Sequence, residues 1–416
     1  MLIDKNKKQE QKKQELKAKA EQLIHTKSFQ IGAAVCCVLL LAFAGIRFMN
    51  RDSLLREGIA YCEKKEYAKA QTSLKNAILA DNLKADNYTY LGIAYLGDEK
   101  YADAEKQFRL ALNLDPENVS AYRGLGISAF KTGDYERAIT ELNHALDHTG
   151  IWLNQEIYDI LWYRADAEKA LEDYEAACET YGILIELEGD TAVIRYNRGA
   201  MYCLLDKKEE AMADFDAAIS QKGNGYPIFW NIYDSMADAG WVEEAEAYLK
   251  LSQEPGYIDL NHAGTETEVN KYRGMIAYIC RDYETAVSLL SSTALSSDKQ
   301  AQIYLALSYE QQQEKDKALA VFLEQVNAAN ASAVDYNRLA RFYIRNEQGE
   351  QAVEYLQKGI EKFPQSDLQD LYYNMVSAYE SYGAYEDALD ALKKYTRLYG
   401  EDDGAVREKA FLKERI

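Results

Sequence analysis

Three arginines, Arg338, Arg341 and Arg345, stand three and then four residues apart, with Asn337 beside the first. On a helix those spacings put all three guanidinium groups on one face. A guanidinium holds a carboxylate through paired, charge-assisted hydrogen bonds, so the stripe is suited to receiving a carboxylate or an acidic segment of a partner. The competing use is internal, because Glu310 and Glu380 fall at comparable places in the flanking segments and would neutralise it. Other constellations resemble chemical motifs and fail on context. Gly124-Leu125-Gly126-Ile127-Ser128-Ala129 has the GxGxxA spacing of a dinucleotide-binding loop, but no strand precedes it and it sits inside a helical pattern. His144 and His148, with Asp147 between them, share a helical face as metal ligands do. They lack a third ligand and the adjacent base of an HExxH site, and read as exposed histidines. Cys62, Cys178, Cys203 and Cys280 are isolated, without CxxC spacing. No nucleophile, base and orienting group can be assembled, so the chain reads as non-catalytic, with no catalytic residue, cofactor or metal site.

The elements that must position the arginines follow from a regularity. Ala70, Ala104, Ala138, Ala177, Ala211, Ala245, Ala286, Ala318, Ala352 and Ala388 recur at spacings of 34, 34, 39, 34, 34, 41, 32, 34 and 36 residues. Four residues after each stands a large residue: Leu74, Phe108, Leu142, Tyr181, Phe215, Leu249, Leu290, Phe322, Leu356 and Leu392. Twelve residues before, eight of the ten positions are Gly or Ala, with Tyr233 and Val376 as the exceptions. These spacings describe two packed helices per unit: a small residue on the first admits the second, whose Ala and large residue share one face. Turn signals such as Thr132-Gly133-Asp134 separate the two, and Tyr follows three residues before the Ala at 67, 101, 135, 174, 283 and 385. Only four prolines occur in 416 residues, as long helices require.

With these residues the chain resembles the tetratricopeptide repeat family. The unit from Ala85 to Asn118 carries Tyr88, Leu91-Gly92, Tyr95, Ala104, Phe108, Ala111 and Pro116 at the family's spacings, and Ala333 to Ser366 is nearly as close. The resemblance implies an all-α fold, a right-handed α-solenoid of about ten helix-turn-helix repeats over residues 51–402 with a capping helix at 403–416. In such arrays the first helix of each unit lines a concave groove that binds peptides or partner helices. That register places Tyr90, Trp162, Tyr163, Tyr196, Trp230, Tyr272, Tyr304 and Tyr373 on the groove wall, along with Asn337, Arg338, Arg341 and Arg345. The alternative for the aromatic rings is packing between units. The clamp that some members use for chaperone tails is not reproduced: Lys271 and Arg338 match its first and last places, but Met275, Tyr304 and Val334 occupy the intervening ones.

Ahead of the repeats, Ile31 to Ile46 reads IGAAVCCVLLLAFAGI without a polar side chain, and residues 30–49 are long enough to cross a bilayer as one helix. A cleaved signal peptide is the rival, because Ala42-Phe43-Ala44 resembles a cleavage site, but the hydrophilic head before it is long. The lysine-rich head, residues 1–29, carries a net charge of +4, which favours a cytoplasmic N-terminus and repeats outside the cytoplasm. Removing that head and Arg47 from the whole-chain charge of −20 leaves −25 on residues 51–416. A nucleic-acid binder needs a positive footprint and is excluded on that ground. The sequence therefore points to a single-pass, membrane-tethered scaffold or adaptor that binds protein or peptide partners, with no small-molecule substrate evident. An accessory or regulator of an envelope enzyme, and a cytosol-facing receptor of reversed topology, remain as alternatives.

Overall fold

A computed structural model of the chain describes residues 12–19, 21, 34–38, 52–149, 155–188, 191–221, 223–259 and 264–416. Among them every regular element is helical, and no strand occurs. The apolar run at 30–49 lies outside the described residues except for 34–38, which are helical and exposed. Among the described residues no helix is long and apolar enough to cross a membrane. Extra residues expected from the sequence to enlarge the connections near 153–157 and 260–266 fall partly outside them, at 153–154 and 260–263.

The chain divides into two compact units, Met1–Lys207 and Lys208–Ile416. In the first, a helix over residues 52–63 precedes Tyr67–Ala80, and the pairs Ala85–Gly97 with Tyr101–Leu114, Val119–Lys131 with Tyr135–Asp147, and Gln155–Ala170 with Tyr174–Glu188 follow, then Ala192–Leu204. The second opens with Lys208–Ile219. It continues through the pairs Tyr226–Asp238 with Val242–Leu251, Glu266–Ile279 with Tyr283–Leu290, Lys299–Gln311 with Lys315–Asn327, Ala333–Arg345 with Gly349–Lys362, and Gln369–Glu380 with Tyr385–Tyr399, and ends with Asp403–Lys413. Most helices pack on their sequence neighbours, and within each unit first helices also touch first helices of adjacent pairs.

The recurring residues explain that packing. All ten alanines have no exposed surface, and the ten large residues one turn later are at most 3% exposed. A small residue on the first helix is where the large one is received. A Cβ added at Gly92 would sit 2.5 Å from the Phe108 ring, and one at Gly126 would sit 2.6 Å from Leu142. Phe108 also fills the space beside Gly124, on the first helix of the next pair, so one side chain joins two repeats. The apparent dinucleotide motif is therefore a packing surface for helices, as Gly124 and Gly126 both face buried side chains. Where the small residue is replaced, Val376 becomes part of the core, while Tyr233 stacks obliquely on Trp230 at 5.4 Å.

One feature of the turns has no single residue type behind it. Five residues before every repeated Ala, the chain takes a left-handed conformation: Lys65, Glu99, Gly133, Glu172, Asp206, Gly240, Arg281, Gln313, Glu347 and Gly383 all have φ between 56° and 84°. This residue reverses the chain between the two helices of a pair, and only three of the ten are Gly, which adopts it without strain.

Candidate binding site

The arginine stripe occupies the helix Ala333–Arg345 in the second unit. Ser332 starts it in a reciprocal capping box with Asp335, whose Oδ2 accepts from the Ser332 backbone N–H at 2.8 Å and hydroxyl at 2.8 Å. Asp335 is 2% exposed and serves two cations as well: Lys299 Nζ lies 2.6 Å from Oδ2, and Arg338 Nη1 donates to Oδ1 at 3.1 Å. The charge of Arg338 is thus matched on its own helix. At the other end, Arg345 donates twice to Glu310, from Nε to Oε1 at 2.8 Å and from Nη2 to Oε2 at 2.7 Å. Arg341, between them and exposed, makes no hydrogen bond or ion pair among the described residues. Asn337 is 6% exposed and accepts from Asn374 Nδ2 at 2.8 Å, which ties its helix to the first helix of the next pair.

The internal pairing foreseen from sequence therefore holds for Glu310 and fails for Glu380. Burial, followed by a hydrogen bond and charge repulsion from Glu408 on the terminal helix, pushes the Glu380 carboxyl up to about 8, with Arg415 opposing. A carboxyl held that way faces another carboxyl and offers the stripe no anion.

Beneath the stripe lies a hollow of about 200 Å³ whose apolar lining is Ile303 and Leu307 from Lys299–Gln311 and Phe322 from Lys315–Asn327, with Arg338, Arg341 and Arg345 on its rim. At roughly 30 Å³ per water, it has room for one aliphatic or aromatic side chain. The chemistry available is reception of a carboxylate by Arg341 together with burial of a neighbouring apolar group. Sequence reasoning missed Asp335, Ile303 and Leu307. The Ser332-x-x-Asp335 capping pattern would have found the first, and the others needed three helices brought together.

The aromatic candidates are largely engaged by neighbouring side chains. In the first unit, Trp162 meets Tyr181 edge-on at 5.7 Å, and Trp162 and Tyr196 both pack, half-buried, against the core around Ile157 and Met201. In the second, Trp230 is 4% exposed and meets Tyr304 edge-on at 5.4 Å; Tyr304 also meets Tyr278 at 5.3 Å. Burial raises the Tyr304 phenol far above its ordinary range. Tyr272 is half-buried under the Lys271 ammonium, 5.8 Å from its ring centre. These rings stiffen the first helices more than they offer free surface. His144 and His148 are exposed and lie against Tyr122, each 5.5 Å from its ring, and the six cysteines at 36, 37, 62, 178, 203 and 280 are free thiols.

Residues 89–149 match the tetratricopeptide repeat family. They take in most of the unit from Ala85 to Asn118, which sequence reading ranks first, and the helical repeat extends on both sides of them. Among solved structures, the chain is similar to a tetratricopeptide repeat protein from Parabacteroides merdae ATCC 43184, with 18% identity, 62% of this chain and 99% of that one covered, and a TM-score of 0.44. It is also similar to MamA (AMB-1), with 19% identity, coverage of 42% and 94%, and a TM-score of 0.37. YrrB, described as a TPR protein with an unusual peptide-binding site, shows 21% identity, coverage of 43% and 90%, and a TM-score of 0.37. No curated protein matches the chain.

Proposed function

We propose that this chain is a non-catalytic scaffold that captures protein partners by an acidic segment, with a carboxylate on Arg341 and an adjacent apolar side chain in the hollow over Ile303, Leu307 and Phe322. The observation that carries the reading is the unshared guanidinium of Arg341, held between two neutralised arginines in a protein of net charge −20. Anion affinity in so acidic a molecule has to be local, and here it is combined with an apolar floor. The tetratricopeptide match supports a protein-binding role in place of a reaction site. In the same reading residues 30–49 tether the scaffold to a membrane and the repeats face away from the cytoplasm.

The test uses the full chain in detergent micelles against an array of peptides that pair Asp or Glu with Leu or Phe, each alongside its Asn or Gln analogue. Selective binding to the acidic set, reduced at least tenfold by Arg341→Ala, supports the site. Equal binding of both sets, or an unaffected Arg341→Ala variant, removes it. Protease added to intact cells should digest the repeats; protection would reverse the topology.

A further inference from the structure

A second cavity, of about 460 Å³, lies apart from the arginine stripe, where the first helix Gln369–Glu380 is flanked by the second helices Gly349–Lys362 and Tyr385–Tyr399. Its floor is apolar: Ile360, Met375 and Ala391 line it, and Met375 is 8% exposed. Two tyrosine rings, Tyr372 and Tyr379, form its sides. Its rim is acidic, with Glu361, Asp387 and Asp390 set against the single ammonium of Lys394.

The state of these charges shows what is missing. Asp390 is paired with Lys393 at 2.8 Å. Glu361 and Asp387 make no hydrogen bond or ion pair among the described residues. Asp387 is near enough to Tyr379 that, after burial, its charge is the next influence raising that phenol. The Lys394 ammonium lies over the Tyr372 ring, 4.9 Å from its centre. The Tyr372 wall thus already holds a cation, contributed by the chain itself, whereas the Tyr379 wall, with Asp387 near it, holds none among the described residues.

We infer that this cavity is a second binding site that takes the lysine or arginine side chain of a basic protein segment. The aliphatic stem would lie on Ile360, Met375 and Ala391, and the charged head would lie beside the Tyr379 ring and the Asp387 carboxylate, with Glu361 adding negative charge elsewhere on the rim. Long cationic side chains bury their stems along apolar surface while the head keeps polar company, and aromatic faces attract such heads. The assignment rests on charge complementarity combined with an apolar floor, and it does not depend on the Arg341 site. A scaffold with an anion-receiving hollow and a cation-receiving one can hold two partners, or two segments of one partner, of opposite charge.

The experiment measures binding of a fluorescein-labelled (Ala-Lys)5 peptide to the full chain in detergent micelles by anisotropy. Replacing Glu361→Gln with Asp387→Asn should weaken binding about tenfold, in line with loss of charge-assisted contacts to one cation. A control pair that removes the same charge elsewhere, Asp316→Asn with Glu324→Gln, should change it less than threefold. Ala391→Phe, which fills the floor without altering charge, should also weaken binding about tenfold. An equal effect of both acidic pairs would mean general attraction to an acidic protein and would overturn the site, as would an unchanged affinity in the Glu361→Gln, Asp387→Asn variant. If agmatine displaced the peptide at equal concentration, the site would be one for small amines and the protein-segment assignment would fall. The acidic pair is on the surface, so its result decides the matter even where Ala391→Phe does not fold.

Discussion

Arg345 and Glu310 are joined by two parallel hydrogen bonds of 2.8 and 2.7 Å, from one first helix to the preceding one, and this pair removes one cation from the stripe that Arg341 is left to represent. Glu310→Gln releases that cation. Because the Arg345 side chain is 42% exposed, loss of the pair should cost less than about 1 kcal/mol of stability. Affinity for acidic peptides should rise several-fold, read by the same titration that tests Arg341→Ala. Unchanged affinity would mean that Arg345 does not face the ligand.

Asp335 makes the opposite case, because it is 2% exposed and serves Lys299, Arg338 and the helix cap together. Asp335→Asn retains the shape and removes the charge, leaving two partly buried cations without their anion. A loss of about 2 kcal/mol is expected, smaller than for a fully buried pair because both cations reach solvent. Urea unfolding measures it, and a change below about 0.5 kcal/mol would show that Asp335 acts only as a cap.

Two glycines separate the packing role from the turn role. Gly92→Ala would place a Cβ 2.5 Å from the Phe108 ring, so overpacking should cost about 1–3 kcal/mol. Gly133→Ala meets nothing within 4 Å, but φ of +81° makes it strained, at about 1 kcal/mol. Combining Gly92→Ala with Phe108→Leu should recover part of the first loss, whereas Phe108→Leu with Gly133→Ala should be closer to additive. Urea unfolding of the single and double variants gives the coupling directly.

The contrast between those glycines also marks how far sequence could reach. Ala104 and Phe108 were readable because a buried face tolerates few side chains, and the same need recurs every 34 residues or so. The left-handed turn position was hidden, because an exposed residue such as Glu99 or Gln313 tolerates the strain and leaves no common residue type. In the binding site, the arginines were visible as a helical stripe, but their neutralisation was only half foreseen. Glu310 and Glu380 hold comparable places in the pattern, and they part ways because the terminal helix brings Glu408 to Glu380 alone. The cavity between second helices left no linear trace, since its carboxylates and rings come from three helices.

The terminal helix also makes stability depend on pH, through Glu380. Glu380 lies on Gln369–Glu380 and Glu408 on Asp403–Lys413, and burial together with Glu408 raises the Glu380 carboxyl from 4.5 to about 8. Its Oε1 is buried without a hydrogen-bond partner, so ionisation there is poorly solvated. The folded state therefore holds a proton that the unfolded state has released, over the interval between those two values. Stability from this group is fully present below about 4.5 and declines as pH rises through about 8. Native-state hydrogen exchange should show the amides of Asp403–Lys413 opening more readily at pH 8.5 than at pH 5.5, after correction for intrinsic exchange. Glu380→Gln keeps the group neutral throughout and should flatten the dependence, giving the variant a higher melting temperature than the parent at pH 8.5 and a much smaller advantage at pH 5.5. An identical pH dependence in parent and variant would assign the effect to other groups.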